Sequence, residues 1–109
     1  MKLFIIDWTK EQTTPLIDYC KKAADVIGIE LKDGNEAYIK TAVLKPDAIV
    51  INYAEKPSHG RMTADSIRKR KITSQTPIYF IDGAEDENEK VEHIGICLSQ
   101  EELRDLLDD

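Results

Sequence analysis

Three segments constrain the fold of this chain more than anything else in it. KLFIID (2–7), DAIVINY (47–53) and PIYFID (77–82) are almost uninterrupted apolar runs, carrying Asp7, Asn52 and Asp82 at their ends. A strand with one wet face alternates apolar and polar residues, so a run without alternation needs cover on both faces. Parallel sheets flanked by helices supply that cover.

The segments between these runs carry helix signals. TTPLIDYCKKAADVIG offers Thr13 or Thr14 as N-cap, Pro15 in the first turn and Gly28 as the stop. Leu16, Cys20, Ala23 and Ile27 fall on one helical face. IELKD (29–33) reads as a short strand, and Gly34 with Asn35 turns the chain into a helix over 35–45. A third helix is expected from near Gly60 through MTADSIRKRK, with the four basic residues 68–71 read as a solvated helix end. Residues 84–93, AEDENEKVEH, have little to bury beyond Val91 and are expected to be short, frayed or mobile. IGICL (94–98) makes a fifth strand, and Ser99 caps a final helix with Glu102 placed for a capping box.

Strands alternating with helices imply parallel pairing through right-handed crossovers. At 109 residues the chain suits one domain, 1–109, built as a flavodoxin-like, doubly wound, five-stranded parallel sheet of order 2-1-3-4-5 with helices on both faces. Ligands of such sheets sit at the carboxyl ends of the strands, near the switch between strands 1 and 3. Asp7, Asn52 and Asp82 should therefore meet in one crevice.

Composition narrows the function classes. A net charge of −6 argues against a nucleic-acid partner. The apolar fraction of 41% contains no run of the length a membrane helix needs, so no membrane partner is expected. The N-terminal apolar run is ended by Asp7 with no small-residue cleavage site after it, and a cytoplasmic location with no signal peptide is the expectation. Cys20 and Cys97 form no CxxC pair and read as buried free thiols. Ser58 and His59 are neighbours that point apart, without the turn a nucleophile elbow needs, and read as a surface loop. His93 reads as exposed. DWTKEQT after the first strand has no glycine, which argues against a nucleotide or flavin cofactor. No cofactor and no metal is expected.

The register of the strand ends resembles that of receiver domains of bacterial response regulators. Counting from Asn52, the family's spacings fall on Asp7 and Trp8 before it and on Gly60 and Asp82 after it, and Ile67-Arg68 matches a helix 3 pair of the family. The match runs over residues 1–83 without a gap and weakens beyond. In that family two acids end strand 1 and hold Mg²⁺, a phosphoaccepting Asp ends strand 3, a Thr or Ser ends strand 4, and a Lys ends strand 5. Here Asp7 matches the first acid alone. Trp8 replaces the second, Asn52 the phosphoacceptor and Asp82 the hydroxyl, and no Lys stands at Leu98 or Ser99.

The resemblance thus implies a degenerate, pseudo-receiver-like protein that takes no phosphoryl group, is not an enzyme, and acts in signal transduction through an unnamed protein partner or as a homodimer. Asn52 is expected to bridge Asp7 and Asp82, where a third carboxylate would add repulsion. Trp8 is expected to cover the crevice, and Tyr53 and Arg68 are candidate partner contacts. A short helix 4 weakens the face of helix 4, strand 5 and helix 5 that receivers commonly use for dimers and effectors. The rival reading is an α/β protein or enzyme that holds a small ligand or divalent cation in the acidic crevice, with Asp7 and Asp82 converging.

Overall fold

The computed structural model describes residues 1–108. The elements are β1 (Lys2–Ile6), α1 (Pro15–Ala23), β2 (Asp25–Glu30), α2 (Gly34–Leu44), β3 (Ala48–Asn52), α3 (Pro57–Lys69), β4 (Ile78–Ile81), α4 (Glu85–Glu89), β5 (Ile96–Leu98) and α5 (Gln100–Asp108), with a 3-10 turn at Lys71–Thr73. The five strands form one sheet of order β2-β1-β3-β4-β5, and every pair is parallel. The flavodoxin-like arrangement expected from the apolar runs is the one observed.

The reason lies in those runs. Leu3, Phe4, Ile5 and Ile6 of β1 and Ile49, Val50 and Ile51 of β3 have no exposed surface. Alternate residues therefore feed two cores. Phe4, Ile6, Ile49, Ile51 and Phe80 pack with Ala37 of α2 and with Ala64 and Ile67 of α3. Leu3, Ile5, Val50 and Ile81 pack with Leu16, Ile17 and Cys20 of α1 and Leu103 of α5. With helices on both sides, all five strands present their carboxyl ends along one edge.

The largest departure from the sequence reading is at β2. The chain is extended from Ala24 onward, so Asp25–Glu30 is strand where a helix ending at Gly28 was expected. Val26, Ile27 and Ile29 are β-branched residues that favour a pleated surface. The register slips between Leu3 and Phe4, which face Val26 and Gly28. Gly28 is thus a packing glycine: a Cβ there would lie 2.6 Å from the ring of the buried Phe4. Helix α3 begins earlier than expected, because Pro57 occupies its first turn and pulls Ser58 and His59 into the helix. Helix α5 carries the expected capping box, with Glu102 N–H donating to Ser99 Oγ (3.1 Å) and Ser99 N–H to Glu102 Oε1 (3.0 Å). Helix α4 is five residues long.

The basic run is not a solvated helix end. The Arg68 guanidinium donates to the Ile94 carbonyl (3.0 and 2.8 Å) and the Ser74 carbonyl (2.7 Å). Arg70 stacks over the Tyr38 ring at 4.0 Å and donates to Thr41 Oγ1 at 3.0 Å. Only Lys69 and Lys71 of the four are exposed.

Gly28→Ala tests the packing role. The new methyl meets a rigid aromatic ring, so stability should fall by about 1–3 kcal/mol in urea unfolding with an unchanged slope. An unchanged midpoint would mean that β2 does not press on Phe4.

Candidate functional site

The switch between β1 and β3 is centred on Asp7, which follows β1 and has no exposed surface. A buried carboxylate accepts hydrogen bonds and must find donors. Thr14 Oγ1 donates to Asp7 Oδ2 at 2.9 Å, and Thr9 N–H donates to Oδ1 at 3.1 Å. Asn52 Nδ2, at the end of β3, donates to the same Oδ1 at 3.3 Å. Because a carboxylate cannot donate, only the nitrogen side of the Asn52 amide can face it. Thr14 also accepts the Ile17 N–H as N-cap of α1 (3.2 Å). One threonine thereby fixes the start of α1 to the end of β1.

Asp7 and Asn52 come together as expected, but Asp82 does not join them. Asp82 is exposed and its backbone is left-handed, at φ 58°. That conformation turns its carboxylate toward α5, where Oδ1 accepts the Gln100 N–H at 3.0 Å. Asn52 therefore bridges to Asp7 alone. A cleft of about 360 Å³ does open at this edge, with Thr9, Glu11, Asn52, Glu55 and Gln100 in its wall, but neither Asp7 nor Asp82 lines it. The converging acid pair of the rival reading is absent among the described residues, as is any group of three or more His, Cys, Asp or Glu placed to hold a metal. The donor set is a poor fit to Mg²⁺: both oxygens of the buried Asp7 already accept from protein donors, and its neighbour Trp8 has no side-chain oxygen to give.

Trp8 does not cover the crevice either. Its ring is 4% exposed and lies in the core layer beneath α2 and α3, edge-on to His59 at 6.4 Å. Tyr53 is fully buried, which removes it as a partner contact. Its hydroxyl donates to the Glu87 carbonyl (2.9 Å) and accepts from Arg61 Nη1 (3.3 Å), while Arg61 pairs with Glu87 at 2.6 Å. Burial pushes the Tyr53 phenol upward, so it stays protonated as the donor this network needs. Arg68, the other expected partner contact, is spent on the carbonyls of Ile94 and Ser74. Burial pushes the Cys20 thiol up to about 11, which leaves it unreactive. Thr14 is the site residue whose role the sequence reading missed. A buried strand-end acid followed by an N-cap hydroxyl was the available signal.

No protein-family model matches the chain, and no curated protein matches it either. Solved structures do. The signal receiver domain of the NarL response regulator from Mycobacterium tuberculosis, itself provisionally assigned, is similar at 16% identity with a TM-score of 0.70, over 97% of this chain and 88% of that one. A provisionally assigned response regulator from Chloroflexus aurantiacus is similar at 15% identity with a TM-score of 0.71, over 99% and 98%. A response regulator from Hahella chejuensis gives 16% and 0.67, over 98% and 86%. The likeness is one of fold: a receiver-like sheet and helices.

The left-handed backbone at Asp82 yields a test. Asn tolerates this conformation, whereas a β-branched residue does not. Asp82→Thr, although it supplies the hydroxyl of the receiver pattern, should lower stability by about 1–2 kcal/mol. Asp82→Asn should stay within about 0.5 kcal/mol of wild type. Equal stability of the two variants in thermal unfolding would contradict the geometry.

Proposed function

We propose that residues 1–109 form a single receiver-like domain that takes no phosphoryl group and works in signalling through contacts with a protein partner or a second copy of itself. The observation that carries this reading is the Asn52 amide donating to the buried Asp7 carboxylate at 3.3 Å. In the receiver pattern that strand end carries the attacking carboxylate, beside a metal held by two acids. An amide nitrogen engaged in donation is not a nucleophile. Charge neutralisation is missing too, because Trp8 supplies no ligand and no Lys ends β5. Asp82, turned toward α5, offers no hydroxyl to an incoming phosphoryl group.

The reading extends to a non-enzymatic role in the bacterial cytoplasm, with neither nucleic acid nor membrane as partner. No helix among the described residues is long and apolar enough to cross a membrane. The acid balance supports a protein partner over a polyanion. Because the expected anchors Tyr53 and Arg68 are internal, the partner surface must be sought elsewhere on the domain.

Incubation with acetyl phosphate and Mg²⁺, followed by intact-mass measurement, should show no gain of a phosphoryl group. Asn52→Asp alone should not restore it, since the attacking oxygen would still lack a metal and a lysine. Modification of the wild-type chain, or rescue by that single change, would overturn the proposal.

A further inference from the structure

A groove of about 690 Å³ lies between α2 and α3, away from the strand-end cleft, with Trp8, Lys32, Tyr38, His59, Met62 and Lys69 among its walls. The geometry points to a binding site for a small aromatic anion: a planar ring held against Trp8, Tyr38 and Met62, its negative group met by Lys32 and Lys69. This goes beyond the loss of phosphoryl chemistry and does not depend on it.

The groove has the size of small-molecule sites, and its walls are held in place. Tyr38 is clamped by Arg70, which stacks over its ring at 4.0 Å and donates to its carbonyl. The loop that presents Lys32 is fixed by Glu30. Glu30 Oε2 accepts the N–H groups of Lys32 and Asp33 (3.2 Å each), and Oε1 pairs with Lys40 at 3.0 Å. Burial alone would raise the Glu30 carboxyl, but Lys40 and the two backbone donors outweigh it and hold it below the usual range. The loop anchor is therefore charged at neutral pH.

Two features of the walls call for a ligand of this chemistry. Trp8 is 4% exposed, yet its indole N–H has no hydrogen-bond partner among the described residues. Buried donors are normally satisfied, so this residue of the groove wall carries an unpaired donor. Met62 is 70% exposed beside this aromatic wall, and an adaptable thioether suits ring contacts. The charge follows from the rim. Lys32 is exposed and makes no ion pair among the described residues. Lys69 is 75% exposed, with only a surface pair to Asp65 at 2.8 Å, which costs little to exchange. Asp33, the acid in the wall, already accepts the N–H groups of Asn35 and Glu36. In a chain of net charge −6, the groove wall carries two lysines and one acid, Asp33.

The probe is 2-naphthoate, and the reporter is built in: the chain has one tryptophan, hence one indole N–H signal in a ¹⁵N spectrum. Titration should move the Trp8 indole signal and the Ser66 amide along one saturable curve. Lys32→Glu/Lys69→Glu should weaken binding about tenfold or more. Lys21→Glu/Lys22→Glu on α1 makes the same change in net charge and should leave affinity unaltered. Neutral naphthalene-2-methanol should bind about tenfold more weakly than the anion. Absence of a saturable shift overturns the site, as does equal weakening by the two charge variants. Equal binding of the neutral probe overturns the anion requirement. An indole signal that moves with protein concentration but not with 2-naphthoate would assign the groove to a second copy of the chain and overturn the ligand.

Discussion

A carboxylate with no access to water has to be matched by donors, and at Asp7 the match joins three parts of the chain. Thr9 belongs to the loop after β1, Thr14 to the cap of α1, and Asn52 to the end of β3. Each donor is neutral, and each belongs to a segment that would otherwise be free to shift at the switch point of the sheet. Leaving any of them out exposes a buried charge to a site with no replacement. An acid at position 52 would set two carboxylates against each other at the present Nδ2 to Oδ1 separation of 3.3 Å. The asparagine is therefore more than a missing nucleophile: it is the donor that lets Asp7 stay buried.

The residues around this centre turn away from the crevice in a consistent manner. Trp8 sinks beneath α2 and α3, Tyr53 reaches under the sheet edge to Glu87, and Asp82 leans out to cap α5. The outcome is a closed polar centre with aromatic and arginine ties below it. Arg61 joins α3 to α4 through Glu87, and Arg68 joins α3 to the turn at Ile94. These ties make the short α4 a fixed part of the layer despite its having no buried residue of its own. A protein built this way keeps its buried acid out of the strand-end cleft, and a second groove runs between α2 and α3.

Legibility in the sequence followed the strength of the physical signal. β1, β3 and β4 were readable because double-sided burial leaves no alternation, and their alternation with helices implied the order of the sheet. β2 was read as a strand but placed too late, at 29–33, because it is an edge strand with only Glu30 buried, and Ile27 happens to continue the helical spacing of Leu16, Cys20 and Ala23. Asp7 and Asn52 were placed correctly because strand direction carries their side chains. Asp82 was misplaced because a left-handed φ has no signature in hydrophobic periodicity, and the same holds for Lys10, Lys45 and Lys56. The basic run at 68–71 could not reveal which arginines find carbonyls, since that depends on how far α3 lies from the turn after α4. The groove floored by Trp8 was invisible for a related reason: its walls come from three segments distant in the chain.

The claim that Asp7 is satisfied by protein donors, with no place for a cation, is tested most directly by titrating ¹⁵N-labelled protein with Mg²⁺. The signals to watch are the Asn52 side-chain amide and the Thr9 backbone amide, which both face Asp7 Oδ1. The account predicts that neither signal moves along a saturable curve through the millimolar range, and that Mn²⁺ broadens neither of them selectively. A saturable shift of the Asn52 amide with Mg²⁺, together with selective broadening by Mn²⁺, would contradict it by showing that a metal displaces the amide from Asp7.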